Sequence, residues 1–141
     1  MEYPLNSVII PLTIERSGKK LVPSSSGLNW GQRVGRNEDQ AYLPVSSEIQ
    51  RSKFFPPKGI TFVLKWDDGE EFLCVRAQQN GKAIHTPSDN SLLGRYFRKR
   101  LGVNFGDAIV LPHLTRYGRF DVEILKKGND FFYADFASPL T

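Results

Sequence analysis

The sequence predicts a mainly β domain, an all-β barrel of about seven strands whose openings are plugged by two short helices. Three features predict it. Apolar, β-branched or aromatic runs of strand length recur along the chain, bounded by Gly-, Pro-, Asn- and Asp-rich turns. Only two stretches carry the start and stop signals of a helix. One long run, Leu21 to Gln40, is too polar and too rich in glycine for a core element, and a loop of that length in a compact domain is either functional or disordered.

Taken in order, Ser7 to Ile14 reads as a first strand, with Pro11 forcing a bulge or an edge position. Glu15 to Lys20 is a charged turn around Gly18, and Leu21 to Gln40 is a projecting arm. Gln40 to Val45 is a short strand leaving it. Ser47-Glu48-Ile49-Gln50 has the capping-box pattern, with Ser47 as N-cap, and predicts a helix to about Lys53, with Phe54-Phe55 beneath it and Pro56-Pro57 as its stop. Ile60–Trp66 and Glu71–Gln79 are strands joined by the hairpin signal Asp67-Asp68-Gly69-Glu70.

Asn80-Gly81 turns the chain into a second polar segment, Lys82 to Asp89, read as a second arm. Asn90 or Ser91 then caps a helix that runs to Leu101 and stops at Gly102. Leu93, Tyr96, Phe97 and Leu101 share its apolar face, Arg95, Arg98 and Lys99 lie opposite, and Arg100 near the apolar face snorkels or pairs with an acid. Strands near Ala108–Leu111, Phe120–Leu125 and Phe131–Phe136 close the chain.

The 141 residues suggest a single domain over 1–141. Cys74, the sole cysteine, has no disulfide or zinc partner and sits among apolar neighbours as a buried thiol, which fits a reducing cytoplasm. No apolar run has the length of a membrane span. The net charge of +4 and pI near 9.3 are compatible with nucleic acid. The charge is unevenly spread: residues 76–100 carry six Lys or Arg against Asp89 alone, a net of +5, whereas residues 61–75 carry Lys65 against four acids, a net of −3. One surface is therefore expected to be basic and another acidic.

The first arm holds side chains that match base edges. Arginine pairs with guanine, asparagine and glutamine with adenine, and a carboxylate with the cytosine amino group. Asn29, Gln32, Arg33, Arg36, Asn37, Glu38, Asp39 and Gln40 are the candidates, with Arg33 and Arg36 placed for bidentate guanine contacts or, on the plainer reading, for phosphate or solvent. Trp30 is expected to anchor the arm rather than stack on a base. In the second arm Lys82, His85, Thr86, Ser88, Asp89 and Asn90 can reach bases or phosphates. Arg51, Lys53, Arg95, Arg98, Lys99 and Arg119 are the candidate phosphate contacts.

Several motifs carry a family resemblance: Ser26-Gly27-Leu28-Asn29-Trp30-Gly31-Gln32-Arg33, Gly35-Arg36-Asn37, Gln40-Ala41-Tyr42-Leu43-Pro44-Val45, Phe54-Phe55-Pro56, Asp67-Asp68-Gly69, Asn80-Gly81-Lys82-Ala83-Ile84, the run from Asn90 to Gly102, and Tyr117-Gly118-Arg119. In this order they resemble the C-terminal domain of NgoFVII-type restriction endonucleases. That family is similar in fold to the B-three DNA-binding domains of plant transcription factors and to the recognition domains of the EcoRII and BfiI endonucleases. The resemblance implies a seven-stranded open pseudobarrel whose two arms clamp the major groove of double-stranded DNA at a specific short sequence. It further implies the target- or effector-site recognition domain of a bacterial type II restriction endonuclease, a piece of a longer chain that also holds a nuclease domain.

The residues themselves argue against catalysis here. The one acidic cluster, Asp67-Asp68-Gly69-Glu70-Glu71, lies on a single tight turn, whereas a metal nuclease needs carboxylates converging from separate elements. Neither His85 nor His113 opens a His-x-Lys motif or has a second ligand close by. No catalytic residue, metal or cofactor is expected for this domain, and a parent nuclease's need for Mg²⁺ stays open. The alternatives are a free-standing DNA-binding regulator and a small metal-dependent nuclease built on the acidic turn.

Overall fold

A computed structural model describes residues 6–140. Its elements are β1 (Ser7–Pro11), β2 (Ile14–Arg16), β3 (Lys19–Leu21), β4 (Leu43–Pro44), α1 (Ser47–Arg51), β5 (Phe62–Trp66), β6 (Glu71–Ala77), β7 (Ala83–His85), α2 (Ser91–Leu101), α3 (Leu111–Tyr117), β8 (Asp121–Lys126) and β9 (Phe131–Asp135). Seven strands form one sheet in the order β1-β8-β9-β5-β6-β7-β4, while β2 and β3 pair apart as a ribbon. Only β5 and β9 run parallel; the other neighbours are antiparallel. The sheet curls until its edge strands β1 and β4 face each other, giving a nearly closed barrel, consistent with the seven-stranded pseudobarrel that the family resemblance implies. An apolar cavity of about 280 Å³ fills the seam between them, lined by Leu12, Ile14, Leu28, Tyr42 and Pro44 among others.

Strict alternation turns one set of side chains inward. Val8 and Ile10 on β1, Phe62, Leu64 and Trp66 on β5, Val122 and Ile124 on β8, and Phe132 and Ala134 on β9 are all buried. Helix α2 inserts Leu93, Tyr96, Phe97 and Leu101 into this core, with Phe97 edge-on to Trp66 at 5.5 Å. A second aromatic cluster joins Phe54 and Phe55, which follow α1, to Phe62 and Phe132 of the sheet. Cys74 is fully buried, and desolvation pushes its thiol up to about 12.

Four local expectations are corrected. Residues 108–111 are no strand: Leu111 opens α3, with Pro112 in its first turn, where a missing N–H costs nothing. The seventh strand is instead Ala83–His85, taken from the middle of the expected second arm. Ser46 rather than Ser47 caps α1, accepting from the Ile49 N–H at 3.3 Å. Asn90 makes no side-chain cap for α2; the Asp89 carboxylate takes the Ser91 N–H at 2.9 Å.

The acidic hairpin is tied to the core. Arg100 donates two bonds of 2.8 Å to the Asp67 carboxylate, and also donates to the Tyr96 and Tyr117 hydroxyls and the Phe136 carbonyl. The Phe136 N–H donates to Asp67 at 2.8 Å. Burial alone would raise the Asp67 pKa, but these donors and the Arg100 charge hold it below the usual carboxylate range.

Candidate nucleic-acid interface

The first arm leaves β1, passes through the β2–β3 ribbon, and winds into a short 3-10 helix over Gly27–Gln32 before returning to β4. Its two limbs meet at Gly31, whose N–H donates to the Gln40 carbonyl at 2.8 Å. A Cβ there would stand 2.1 Å from the Asn37 carbonyl oxygen, so only glycine permits this approach. Trp30 is buried edge-on to Tyr42 and stacked on His85, which makes it the anchor that its type suggested. Burial pushes the His85 imidazole below its usual range, so it stacks in the neutral form at pH 7.

Two of the arm's polar residues turn inward. Asn29 is buried: its Oδ1 accepts from the Ile109 N–H at 2.8 Å, and its Nδ2 donates to the Ile109 and Pro23 carbonyls. Asp39 is also buried, accepts from the Gly106 N–H at 2.8 Å, and lies 3.0 Å from Nε of Arg98. Both residues therefore fasten the arm to the loop after α2 and are not turned toward a groove. Arg98 completes this latch. It is 0% exposed, and it donates to the carbonyls of Asp107 and Gly94 at 2.9 and 3.1 Å. The expectation of Arg98 on an outer, phosphate-facing surface is thus corrected: Ser91, Gly94 and Arg98 form a second buried stripe of α2.

Gln32, Arg33, Arg36, Asn37, Glu38 and Gln40 remain on the accessible side. Gln32 is partly engaged, donating to the Glu38 and Gly106 carbonyls. Arg33 donates to the Ser25 carbonyl at 2.8 Å. Arg36 lies 3.7 Å over the Trp30 ring and donates to Gln40 Oε1 at 2.9 Å.

The second expected arm divides in two. Ala83 and Ile84 are sheet residues with fully buried side chains, His85 is half-buried and Thr86 is buried. Ser88 and Asp89 are exposed, but this stretch lies along the first arm, the Ala41 N–H donating to the Asn90 carbonyl. More exposed polar residues lie one step earlier, in the β6–β7 connection of residues 78–82, where Gln79, Asn80 and Lys82 are exposed and Gly81 is buried. Gln78 and Asn80 there hold φ values of +65° and +60°, sparsely populated for non-glycine residues. Arg76 braces this turn by donating to the carbonyls of Pro56 and Gly81. In the sequence this segment shows only as the amide run Gln78-Gln79-Asn80 before a turn at Asn80-Gly81.

The two polar segments flank one short ladder. Strands β4 and β7 pair through Leu43↔Ile84 and Pro44↔Ala83; the first arm ends at Tyr42 on one side, and the β6–β7 turn ends at Lys82 on the other. Of the candidate cations, Arg51, Lys53, Lys82 and Lys99 are exposed, and Arg95 is half-exposed with Asp89 at 3.3 Å. Arg119 is held by Asp121 and Asp135 at 3.4 and 2.9 Å, so its charge is already matched inside the domain. His113 Nδ1 accepts the Val110 N–H at the start of α3, a structural role. Among the described residues no three His, Cys, Asp or Glu side chains gather where they could hold a metal ion, and no helix is long and apolar enough to cross a membrane.

A family model, the NgoFVII C-terminal B3-like DNA-binding domain, matches residues 6–128. No curated protein matches the chain.

Proposed function

The chain belongs to the NgoFVII C-terminal B3-like DNA-binding domain family, and from that membership we propose that it reads a specific short sequence in double-stranded DNA with two arms in the major groove. Family membership supports DNA binding. The two-arm reading rests on one observation: two segments rich in amide and cationic side chains stand at the two ends of the β4–β7 ladder. Gln32, Arg33, Arg36, Asn37, Glu38 and Gln40 supply base contacts from the first arm, and Gln78, Gln79, Asn80 and Lys82 from the second. Exposed Arg51, Lys53 and Lys99 meet phosphates. In this reading the domain selects a target or effector site for a type II restriction endonuclease whose nuclease domain lies elsewhere in a longer chain. The domain itself needs no cofactor; Asp67, the centre of its acidic turn, is engaged by Arg100 and the Phe136 N–H.

The test is a salt titration on a duplex selected from a random pool and on an unselected one. The domain is expected to prefer the selected duplex, with affinity falling steeply as salt rises. Arg36→Ala is expected to lose ~1–3 kcal/mol on the selected duplex and little on the other. Lys99→Ala is expected to weaken both alike and to reduce the salt slope by about one. Equal affinity for the two duplexes at moderate salt would contradict sequence reading.

A further inference from the structure

Val34 occupies the outermost turn of the first arm, with a relative exposure of 104%; the next most exposed large apolar residue, Leu140, reaches 70%. The turn is well defined. The Arg36 N–H donates to the Arg33 carbonyl at 3.2 Å, and Gly35 at its third position has φ +86°, the left-handed value that a type II turn gives to glycine. A Cβ on Gly35 would meet nothing within 4 Å, so the tip stands clear of the domain. The two flanking guanidiniums fold back, Arg33 onto the Ser25 carbonyl and Arg36 onto Trp30 and Gln40. The arm thus presents an apolar side chain at its tip, while Arg33 and Arg36 are steadied beside it through Nε and Nη1 and keep their other N–H donors for DNA.

We propose that Val34 reads the C5-methyl group of a pyrimidine, that of thymine or of 5-methylcytosine, in the major groove. The inference rests on the arm reading above. The edges of the bases offer the groove mostly hydrogen-bonding groups, and the C5-methyl is the apolar one. A valine gains on contact only with such a group. Its β-branched side chain has little rotamer freedom to lose, and the arm beneath it is already fastened by Asn29, Asp39 and Arg98.

The experiment replaces each thymine of the selected duplex by uracil, and each cytosine by 5-methylcytosine, one position at a time, for the unmodified domain and for Val34→Ala. Val34 is fully exposed, so this variant folds normally. The unmodified domain is expected to change affinity about four-fold at one position, the value of one methyl-sized apolar contact. It loses there on thymine-to-uracil exchange or gains on cytosine methylation, which tells the two sources apart. Val34→Ala is expected to be indifferent at that same position. Two results overturn the proposal: no position whose methyl effect depends on residue 34, or a Val34→Ala loss independent of methyl content, as a wedge between base steps would give. Arg36→Ala separates this from failure of the arm reading. If that variant loses discrimination while residue 34 is methyl-blind, only the valine assignment falls; if it keeps full discrimination, the arm reading falls.

Discussion

Asp67→Asn is expected to lower the stability of the domain by about 1.5–3 kcal/mol at pH 7, the range for hydrogen bonds to a charged group, because the Asp67–Arg100 pair is partly rather than fully buried, its side chains 14% and 12% exposed. The substitution keeps the shape and removes the charge, leaving the Arg100 guanidinium, which also serves two tyrosine hydroxyls and a carbonyl, with only the more exposed Asp68 carboxylate, 4.0 Å away, as counter-ion. Against a typical total of roughly 5–15 kcal/mol, that is a large share. The pH dependence identifies the cause. The folded-state pKa of Asp67 lies below its unfolded value, so the carboxylate's contribution is fully present above the unfolded pKa near 4 and is lost as pH falls through the lower folded value. Urea unfolding of both proteins is therefore expected to show a gap that is widest and flat above about pH 5 and that narrows in acid. A gap that stays constant down to the acid limb would mean that the asparagine acts through packing and not through the pair.

The barrel was legible because strand alternation is a local signal. Val8 and Ile10, or Phe62, Leu64 and Trp66, declare their inward face within five residues. The barrel has the expected seven strands through two opposite errors, while the separate β2–β3 ribbon falls where the sequence suggested only a charged turn around Gly18. Ala108–Leu111 has strand composition, but Pro112 and the spacing of Leu111 and Leu114 suit a helix; Ala83–His85 is too short to announce itself beside the turn it follows. The arm was legible from its composition, and its division of labour was not. Asn29 and Asp39 are of the same types as Asn37 and Glu38, and nothing nearby says that the first pair is buried. Their partners, Ile109 and Gly106, lie 80 and 67 residues away. Arg98 is hard to place from sequence because an arginine reads as a surface residue on a helical wheel, whereas its guanidinium is fully buried here. The signal available was Ser91 and Gly94 at helical spacing with it, two small residues that let another segment come close.

Gly94→Ala puts that close approach to the test, with an expected sign opposite to the usual one. In the interior of a helix, alanine in place of glycine commonly gains about 0.5–1 kcal/mol. Here the new Cβ would lie 1.6 Å from the Asp39 carbonyl oxygen, a backbone atom that cannot swing aside like a side-chain end. Either α2 or the returning limb of the arm must move, and overpacking of this kind typically costs ~1–3 kcal/mol. Moving the limb also stretches the Arg98–Asp39 pair and the bond from the Gly106 N–H, so the loss is expected at the upper end of that range or above it. A functional consequence is expected beside the thermodynamic one. In the proposed reading a base contact depends on the placement of Arg36 and its neighbours relative to the barrel, which the latch would set; phosphate attraction depends mainly on charge, which Gly94→Ala leaves untouched. The variant is therefore expected to bind unselected DNA nearly as before, with the same salt slope, while its preference for the selected duplex drops about ten-fold or more. Hydrogen exchange at Gly31 and Gly106, whose N–H groups donate within the arm and across the latch, is expected to quicken ahead of the amides of β5 and β8. A Gly94→Ala protein that melts higher than its parent and keeps full discrimination would show that the arm does not depend on this contact for its position.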